Sequence, residues 1–440
     1  MFSETTPHSG HIPGSKLRSR WHTVHRCASL REVSVDLVAP DHLNPFTEQT
    51  ATRYFVGREN QLRAFERSLA GLQAGRTGHM YVAGAHGTGK TSYLAKLVEL
   101  ARSADFLAAQ PTLDPAASAR QHVCSLLYSI IEAIDESIHV QGGGSERPYT
   151  KDWDLGPNSA HFRVARTDRL VSDEVRADLK TLHRIAKDSG YEKIVVCVDE
   201  GQRIGPFALS ALKNALQQLD DYLLVLSLRL VDGDQDTVAA GRAILDEKAN
   251  EAEGDIGASR MFVSGVPLGP FDSDQEARAC LLKRLEGNQV TFQEEVISLI
   301  AQVTRRHPAA IISLAAATYD YAVETLNFQA DPRVFQDAFA KRYRKQYEQS
   351  IALCALLTET TKKALSALVS LEDPVSPEEL TKRAFPECPA DLADTVQKAV
   401  TSELHALLAV APTIVVERDG RYCIPNPADR YAMTSALGGR

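Results

Sequence analysis

Residues 84–92 read GAHGTGKTS, and Gly84, Gly89, Lys90 and Thr91 fall on the fixed positions of the G-x-x-x-x-G-K-[ST] pattern. Each position has a physical task. The glycines let the backbone turn successive N–H groups toward phosphate oxygens, and a helix opening near Gly89 aims its positive end at them. Lys90 has the length to reach terminal phosphates, and the Thr91 hydroxyl suits Mg²⁺. Gly84, Ala85, His86, Gly87, Thr88, Gly89, Lys90, Thr91 and Ser92 are therefore the expected phosphate contacts. A second stretch, VVCVDE (195–200), is an apolar run ending in two carboxylates. A strand of that kind delivers Asp199 to the carboxyl edge of a sheet, where ligands bind in open α/β folds. Asp199 is then placed to hold Mg²⁺ through water, and Glu200 to activate a water as general base. The ligand implied is ATP with Mg²⁺, and the reaction class is ATP hydrolysis.

These residues need a frame. HMYVAG (79–84) is a short apolar strand before the glycine loop, and helix is expected from about Gly89 to Ala101. ENQLRAFERSLAGLQAG (59–75) is amphipathic and stops at Gly75. Residues 105–111 suggest a strand, 118–138 a helix, 139–165 a long loop, and 174–190 a helix. PFALSALKNALQQL (206–219) follows as helix, YLLVLS (222–227) as strand, and MFVSGV (261–266) as the last strand, after a polar excursion at 233–259. Strands alternating with helices predict a parallel sheet covered on both faces. Beyond Pro270 strands cease and three helices are expected, with Asp272 or Ser273 capping the first and Glu276 at capping-box distance. One long charged helix is expected at 331–350. Residues 351–440 then read as three helices and a hairpin turning at Asp419-Gly420, the outline of a winged helix.

The expected fold class is thus α/β: a P-loop NTPase parallel sheet with a helical lid, followed by an α+β winged-helix domain. The expected divisions are a partly disordered N-terminal arm (1–50), an ATPase core (51–270), a lid with linker helix (271–350) and the winged helix (351–440). Composition agrees with a globular chain, at 44% hydrophobic and 24% charged. The net charge of −8 gives no global attraction to nucleic acid, although KLRSRWHTVHR (16–26) is locally basic and offers Trp21 for stacking. His22, His25 and Cys27 lack a second ligand pair. Seven dispersed cysteines without a CxxC pair, no apolar run of membrane length and no signal-like N-terminus lead to the expectation of a reduced, cytoplasmic protein.

From residue 44 the chain resembles a known family. NPFTEQTATRYFVGRENQLRAFERSLAGLQAGR, the glycine loop, the Asp-Glu strand, LGPFDSDQEA (268–277), RRHPAAI (305–311) and GRYCIPNPADRYAM (420–433) occur in the order seen in origin-recognition-like AAA+ ATPases. That group shades into the STAND signalling NTPases. The resemblance implies that Phe55, Val56 and Arg58 border the adenine pocket. It implies that Ser227, or its rival Arg229, is a sensor of the γ-phosphate or attacking water. It implies that Arg260 is a finger acting on a neighbouring subunit's nucleotide. Homo-oligomers or a partner protein follow from the same likeness. One departure stands out: Ala309 occupies the place of the family's lid arginine, while His307-Pro308 is similar to the GxP-type lid of STAND NTPases with Arg306 in place of Gly. His307 and Pro308 are then expected at the phosphates, with slow turnover.

The winged helix raises the question of DNA. Residues 351–440 hold 12 acidic and 9 basic residues, and the expected recognition helix at 390–409 sets Asp391, Asp394 and Glu403 against Lys398. The wing offers Arg418 and Arg421, and KRYRK (341–345) is the better basic stretch. Phosphate-backbone affinity needs several cations on one face, so protein contact is the favoured use.

Overall fold

The computed structural model describes residues 44–46, 53–76, 78–142, 162–166, 170–230, 236–251, 259–371, 374–389, 391–410, 414–418, 420–424 and 427–437. The basic stretch 16–26, most of the expected loop 139–165, and Asp419 lie outside them.

The first part alternates as expected. In chain order come α1 (Glu59–Gln73), β1 (His79–Gly84), α2 (Lys90–Ser103), β2 (Leu107–Ala109), α3 (Ala119–Gly142), α4 (Arg163–Arg166), α5 (Ser172–Asp188), β3 (Ile194–Val198), α6 (Pro206–Leu216), β4 (Tyr222–Arg229), α7 (Thr237–Glu251) and β5 (Phe262–Pro267). The five strands pair in the order β2-β3-β4-β1-β5, all parallel. This is the α/β sheet of a P-loop NTPase-like fold. The excursion expected at 233–259 contains α7, which a parallel β4-to-β5 crossover requires.

Period-two alternation explains which side chains meet which helices. Tyr81, Ala83, Val196, Val198, Leu226 and Leu228 face one way, into a core shared with α3, α5 and α6. Met80, Val82, Val195, Cys197, Leu223 and Val225 face the other, onto α1 and α2. Continuing the second set by one step reaches Asp199 after Cys197 and Ser227 after Val225. Both polar side chains therefore emerge on the side of α2, whose first turn carries Lys90 and Thr91.

The segment expected to form the lid contains α8 (Asp274–Leu285), β6 (Thr291–Phe292), α9 (Glu294–Val303), α10 (Pro308–Glu324) and β7 (Gln329–Ala330). Ser273 caps α8 by accepting from the Glu276 amide at 3.2 Å. Strands do not cease after Pro270: β6 and β7 form a two-stranded parallel pair that ties the ends of the lid together. The helix expected at 331–350 is two helices, α11 (Pro332–Arg342) and α12 (Arg344–Leu356), broken at Tyr343. Residues 44–46, expected in the N-terminal arm, pack on the lid instead. Asn44 donates to the Ala316 carbonyl at 3.1 Å and to Asp320 at 2.7 Å, and Phe46 stacks on Phe292 with ring centroids 5.9 Å apart.

The C-terminal part contains α13 (Glu359–Val369), α14 (Pro377–Ala384), α15 (Ala393–Val410), the antiparallel hairpin β8 (Val416–Arg418) and β9 (Arg421–Cys423), and α16 (Pro427–Ala436). Val375 bridges Tyr422 through two backbone hydrogen bonds of 3.0 and 2.9 Å, adding a third short edge to the hairpin. The final helix α16 reaches back to α11, where the Tyr431 ring lies 4.5 Å from that of Phe339 and 5.7 Å from that of Phe335.

Candidate phosphate and metal site

The glycine loop connects the carboxyl end of β1 to α2, and its conformation depends on its glycines. Gly87 and Gly89 both have left-handed backbones, with φ of 77° and 89°. A Cβ on Gly84 would stand 2.3 Å from the Leu268 carbonyl oxygen. A Cβ on Gly87 would stand 2.7 Å from the Ala309 Cβ and 2.9 Å from the His307 ring. Only glycine allows the lid to come this close. Lys90 opens α2 and is buried, its ammonium donating to the Gly84 and Ala85 carbonyls at 2.9 and 2.8 Å. Burial lowers its pKa from the usual lysine range, and the nearby carboxylates of Glu200 and Asp199 oppose that.

Thr91 and Asp199 meet as the strand parity requires. The Thr91 hydroxyl donates to Asp199 Oδ2 at 2.6 Å. The other oxygen, Oδ1, accepts from the Ser227 hydroxyl at 2.5 Å and from the Glu200 amide at 2.9 Å. A hydroxyl and a carboxylate in contact are hard oxygen donors, which fit Mg²⁺ held by few protein groups with phosphates and water completing its shell. Among the described residues no cluster of three His, Cys, Asp or Glu could hold a metal by itself. Ser227 is fully buried. Its hydroxyl is committed to Asp199, which makes it a support for that carboxylate and not a group open to the cavity. The register pairs Ser227 with Val82 and Arg229 with Gly84, so the exposed Arg229 marks the end of β4 beside the loop.

Glu200 lines the cavity and adopts a left-handed backbone, φ 51°. For a residue with a Cβ this is disfavoured by about 1 kcal/mol. Strain of that kind concentrates at functional positions. A 3-10 turn, Gly201–Arg203, follows immediately and brings Gln202 back onto Glu200, with Nε2 donating to Oε2 at 2.5 Å.

The cavity above these groups has a volume of about 1240 Å³ and is lined by Phe55, Val56, His86, Thr91, Glu200 and Ala309 among others. Phe55 packs toward the sheet core and Val56 toward the lid core, so the FVGRE element straddles the two. Arg58 also borders the cavity, but its guanidinium is spent on backbone. It donates to the carbonyls of Pro270 at 2.9 Å, Gly269 at 2.6 Å and Thr88 at 3.3 Å, and lies over the Phe271 ring. The structure thus gives Arg58 a clamping position between the loop and the lid linker. Glu276 completes the clamp, accepting from the amides of Arg58 at 3.1 Å and Asp272 at 2.9 Å.

The lid closes on the loop through α10. The Ala309 amide donates to the Gly87 carbonyl at 3.1 Å. The His307 ring donates to the His86 carbonyl, and Pro308 and Ala309 line the cavity. Burial pushes the His307 imidazole below its ordinary pKa; the charges of His86, Arg58 and Lys90 add to this, and the bond to the His86 carbonyl opposes it. Arg306 has the left-handed backbone, φ 59°, that a glycine at this place would supply freely. Its side chain turns to the Asp272 carbonyl at 3.3 Å, and Arg305 donates to the Ile424 carbonyl at 3.3 Å. Neither arginine stands in for the one absent at Ala309. Arg260 is exposed at the amino end of β5, beside the His79–Phe262 pairing. The six-residue β1 separates that end from Gly84 by about 17 Å at 3.3 Å per residue.

The sequence pattern singles out neither Gln202 nor the Glu276 bridge to Arg58. The only available signal for Gln202 was an amide two residues beyond Asp199-Glu200. For Glu276 the capping-box spacing was visible, but its second partner was not.

Comparison with known proteins places residues 54–226 within a family model described as the AAA ATPase domain. Among curated proteins none matches the sequence. Similar solved structures include the ORC1 protein of Aeropyrum pernix in complex with DNA, at 17% identity, 90% of this chain, 95% of that chain and a TM-score of 0.42. A Walker-type ATPase of Pyrococcus abyssi is 15% identical over 88% of this chain and 99% of its own, with a TM-score of 0.47. The RuvB Holliday junction branch migration motor of Thermotoga maritima is 14% identical, covering 86% and 95%, with a TM-score of 0.41. No described helix is long and apolar enough to cross a membrane.

Proposed function

We propose that this chain binds ATP with Mg²⁺ at the glycine loop, hydrolyses it, and passes nucleotide state through the lid to its C-terminal part. The observation that carries this reading is the 2.6 Å contact between Thr91 and Asp199 with Glu200 beside it in the cavity. It joins two segments 108 residues apart into one oxygen-donor site next to Lys90. Lys90 would bind the terminal phosphates, Thr91 and Asp199 would hold the metal, and Glu200 would take the proton from the attacking water. Mg²⁺, when bound, would neutralise phosphate charge during transfer. Phe55 and Val56 would flank the base.

The test is ATP turnover and ATP affinity for the wild type and Glu200→Gln. The variant is expected to bind ATP as before and to hydrolyse it on the order of 10²–10⁴-fold more slowly, the usual contribution of a general base. Equal rates would remove Glu200 from the reaction. Arg260 could act only on a neighbouring copy. Specific activity should therefore rise with protein concentration in the wild type and stay flat in Arg260→Ala; a flat wild-type curve excludes a trans finger.

A second reading, a STAND-type switch that holds ADP or ATP and turns over rarely, is supported by the lid. The amide of Ala309 and the ring of His307 both grip the loop backbone, and α10 presents Ala309 where the resemblance expects the lid arginine. Purified protein carrying stoichiometric ADP would favour the switch; rapid exchange with free nucleotide would exclude it.

We read residues 351–440 as a winged helix used for protein contact. Asp391 and Asp394 are exposed at the start of α15 with only Lys398 to offset them there, while Glu403 turns inward to accept from Thr361 at 2.7 Å. Salt-dependent binding of duplex DNA that requires ATP would overturn that preference.

A further inference from the structure

We propose that Gln202 is the positioning residue of the hydrolytic site: its side-chain amide holds Glu200 by one carboxylate oxygen and ties it to the end of β4. The inference rests on Glu200 being the base.

The geometry fixes the amide's orientation. Gln202 Oε1 accepts from the Arg229 backbone N–H at 3.1 Å, and a backbone N–H can meet only an acceptor. Nε2 must then face the Glu200 carboxylate, where it donates to Oε2 at 2.5 Å. The turn beneath is fixed as well, since Arg203 N donates to the Glu200 carbonyl at 2.8 Å and Ile204 N to the Gly201 carbonyl at 3.1 Å. A Cβ on Gly201 would lie 3.0 Å from Leu226 Cβ and from the Ser227 carbonyl oxygen, so the turn sits directly against β4. Gln202 thus bridges the ends of two neighbouring strands, one carrying the two carboxylates and the other ending at Arg229.

The consequence concerns the second oxygen. With Oε2 occupied, Oε1 is the atom left to take a proton from water. Without the amide, the nearest cation, Arg203 Nε at 3.8 Å from Oε2, would draw the carboxylate along the turn. The charged groups near Glu200 include Arg203 on the turn, the adjacent Asp199 and Lys90 at the start of α2. Among them Gln202 is the neutral donor that orients the carboxylate without pairing with its charge.

Three variants of the full chain test this: Gln202→Leu, the isosteric Gln202→Glu, and Glu200→Gln. Gln202→Leu is expected to lower kcat by on the order of 10- to 100-fold, the effect of a misplaced catalytic group, with ATP affinity and thermal midpoint near wild type. Gln202→Glu keeps an acceptor for the Arg229 N–H but replaces the neutral donor with a second carboxyl against the first, so kcat is expected to fall while ATP affinity is kept. A purely structural glutamine would change ATP affinity and thermal midpoint along with kcat. Unchanged kcat in both Gln202 variants, with Glu200→Gln inactive, overturns the positioning role alone. Wild-type turnover in Glu200→Gln overturns the base assignment, and the positioning role falls with it.

Discussion

The two ends of β1 hold buried polar groups in opposite ways. At the carboxyl end, Lys90, Asp199, Ser227 and Glu200 come from three different segments and are held by several short hydrogen bonds to backbone and side chain. Lys90 borrows loop carbonyls, and the Asp199 carboxylate is shared among Thr91, Ser227 and the Glu200 amide. At the amino end, His79 is 3% exposed, and its Nδ1 accepts from the Leu224 backbone N–H at 3.1 Å. That end has a histidine held neutral by burial. The carboxyl end has a lysine and two acidic residues beside the cavity, and under the proposed function phosphate and metal would exchange with their present partners. Exchangeable partners mark a site; a single backbone partner in a dry core marks architecture.

The largest effect expected from this contrast is on Lys90. Lys90→Ala should weaken ATP binding by at least ~100-fold, about 3 kcal/mol, as for truncation of a buried charged partner. The thermal midpoint without nucleotide should move far less, because the carbonyls of Gly84 and Ala85 keep other donors, the Leu230 amide at 3.1 Å and the Thr88 hydroxyl at 3.0 Å. Isothermal titration with ATP, alongside a melting curve, checks both. If ATP binding survives and the fold does not, the carboxyl end is as architectural as the amino end and the contrast fails.

Much of the carboxyl end could be read in the sequence because its residues are spaced by fixed geometry. Gly84 to Thr91 must follow a strand and open a helix, and alternation along VVCVDE and YLLVLS places Asp199 and Ser227 on one side of the sheet. The same alternation explains why Ser227 supports Asp199 and does not reach the cavity: as an in-sheet residue flanked by Leu226 and Leu228 it remains buried, and the strand ends two residues later. Arg58 and Glu276 were harder, since their partnership spans 218 residues and joins two turns with no periodic signal. The β6–β7 pair is two residues long on each side, too short for alternation to show. The break at Tyr343 occurs in a polar stretch without glycine or proline, where only packing of Tyr343 against the Phe339 ring, centroids 4.8 Å apart, marks the turn. Local pattern thus located the chemistry, while contacts distant in sequence determined how the lid meets it.

A smaller but sharper test lies at the amino end. Burial holds the His79 pKa near 4, against 6.5 for an ordinary histidine. Between those values the unfolded chain takes up a proton that the folded chain refuses. Stability from this group is therefore complete above pH 6.5 and is lost as pH falls toward 4. The slope is 1.36 kcal/mol per pH unit, so the total is about 3 kcal/mol. Other groups titrate in the same window, so the informative quantity is the difference from His79→Leu. That variant should be less stable at pH 7.5, because the Leu224 N–H loses its acceptor. Its urea-denaturation midpoint should also fall less steeply between pH 6.5 and 5 than that of the wild type. Parallel curves would mean that His79 is protonated in the folded chain, with a counter-charge at the amino end of β1. That end would then hold a charged group with an exchangeable partner, and the distinction between the two ends of the strand would be lost.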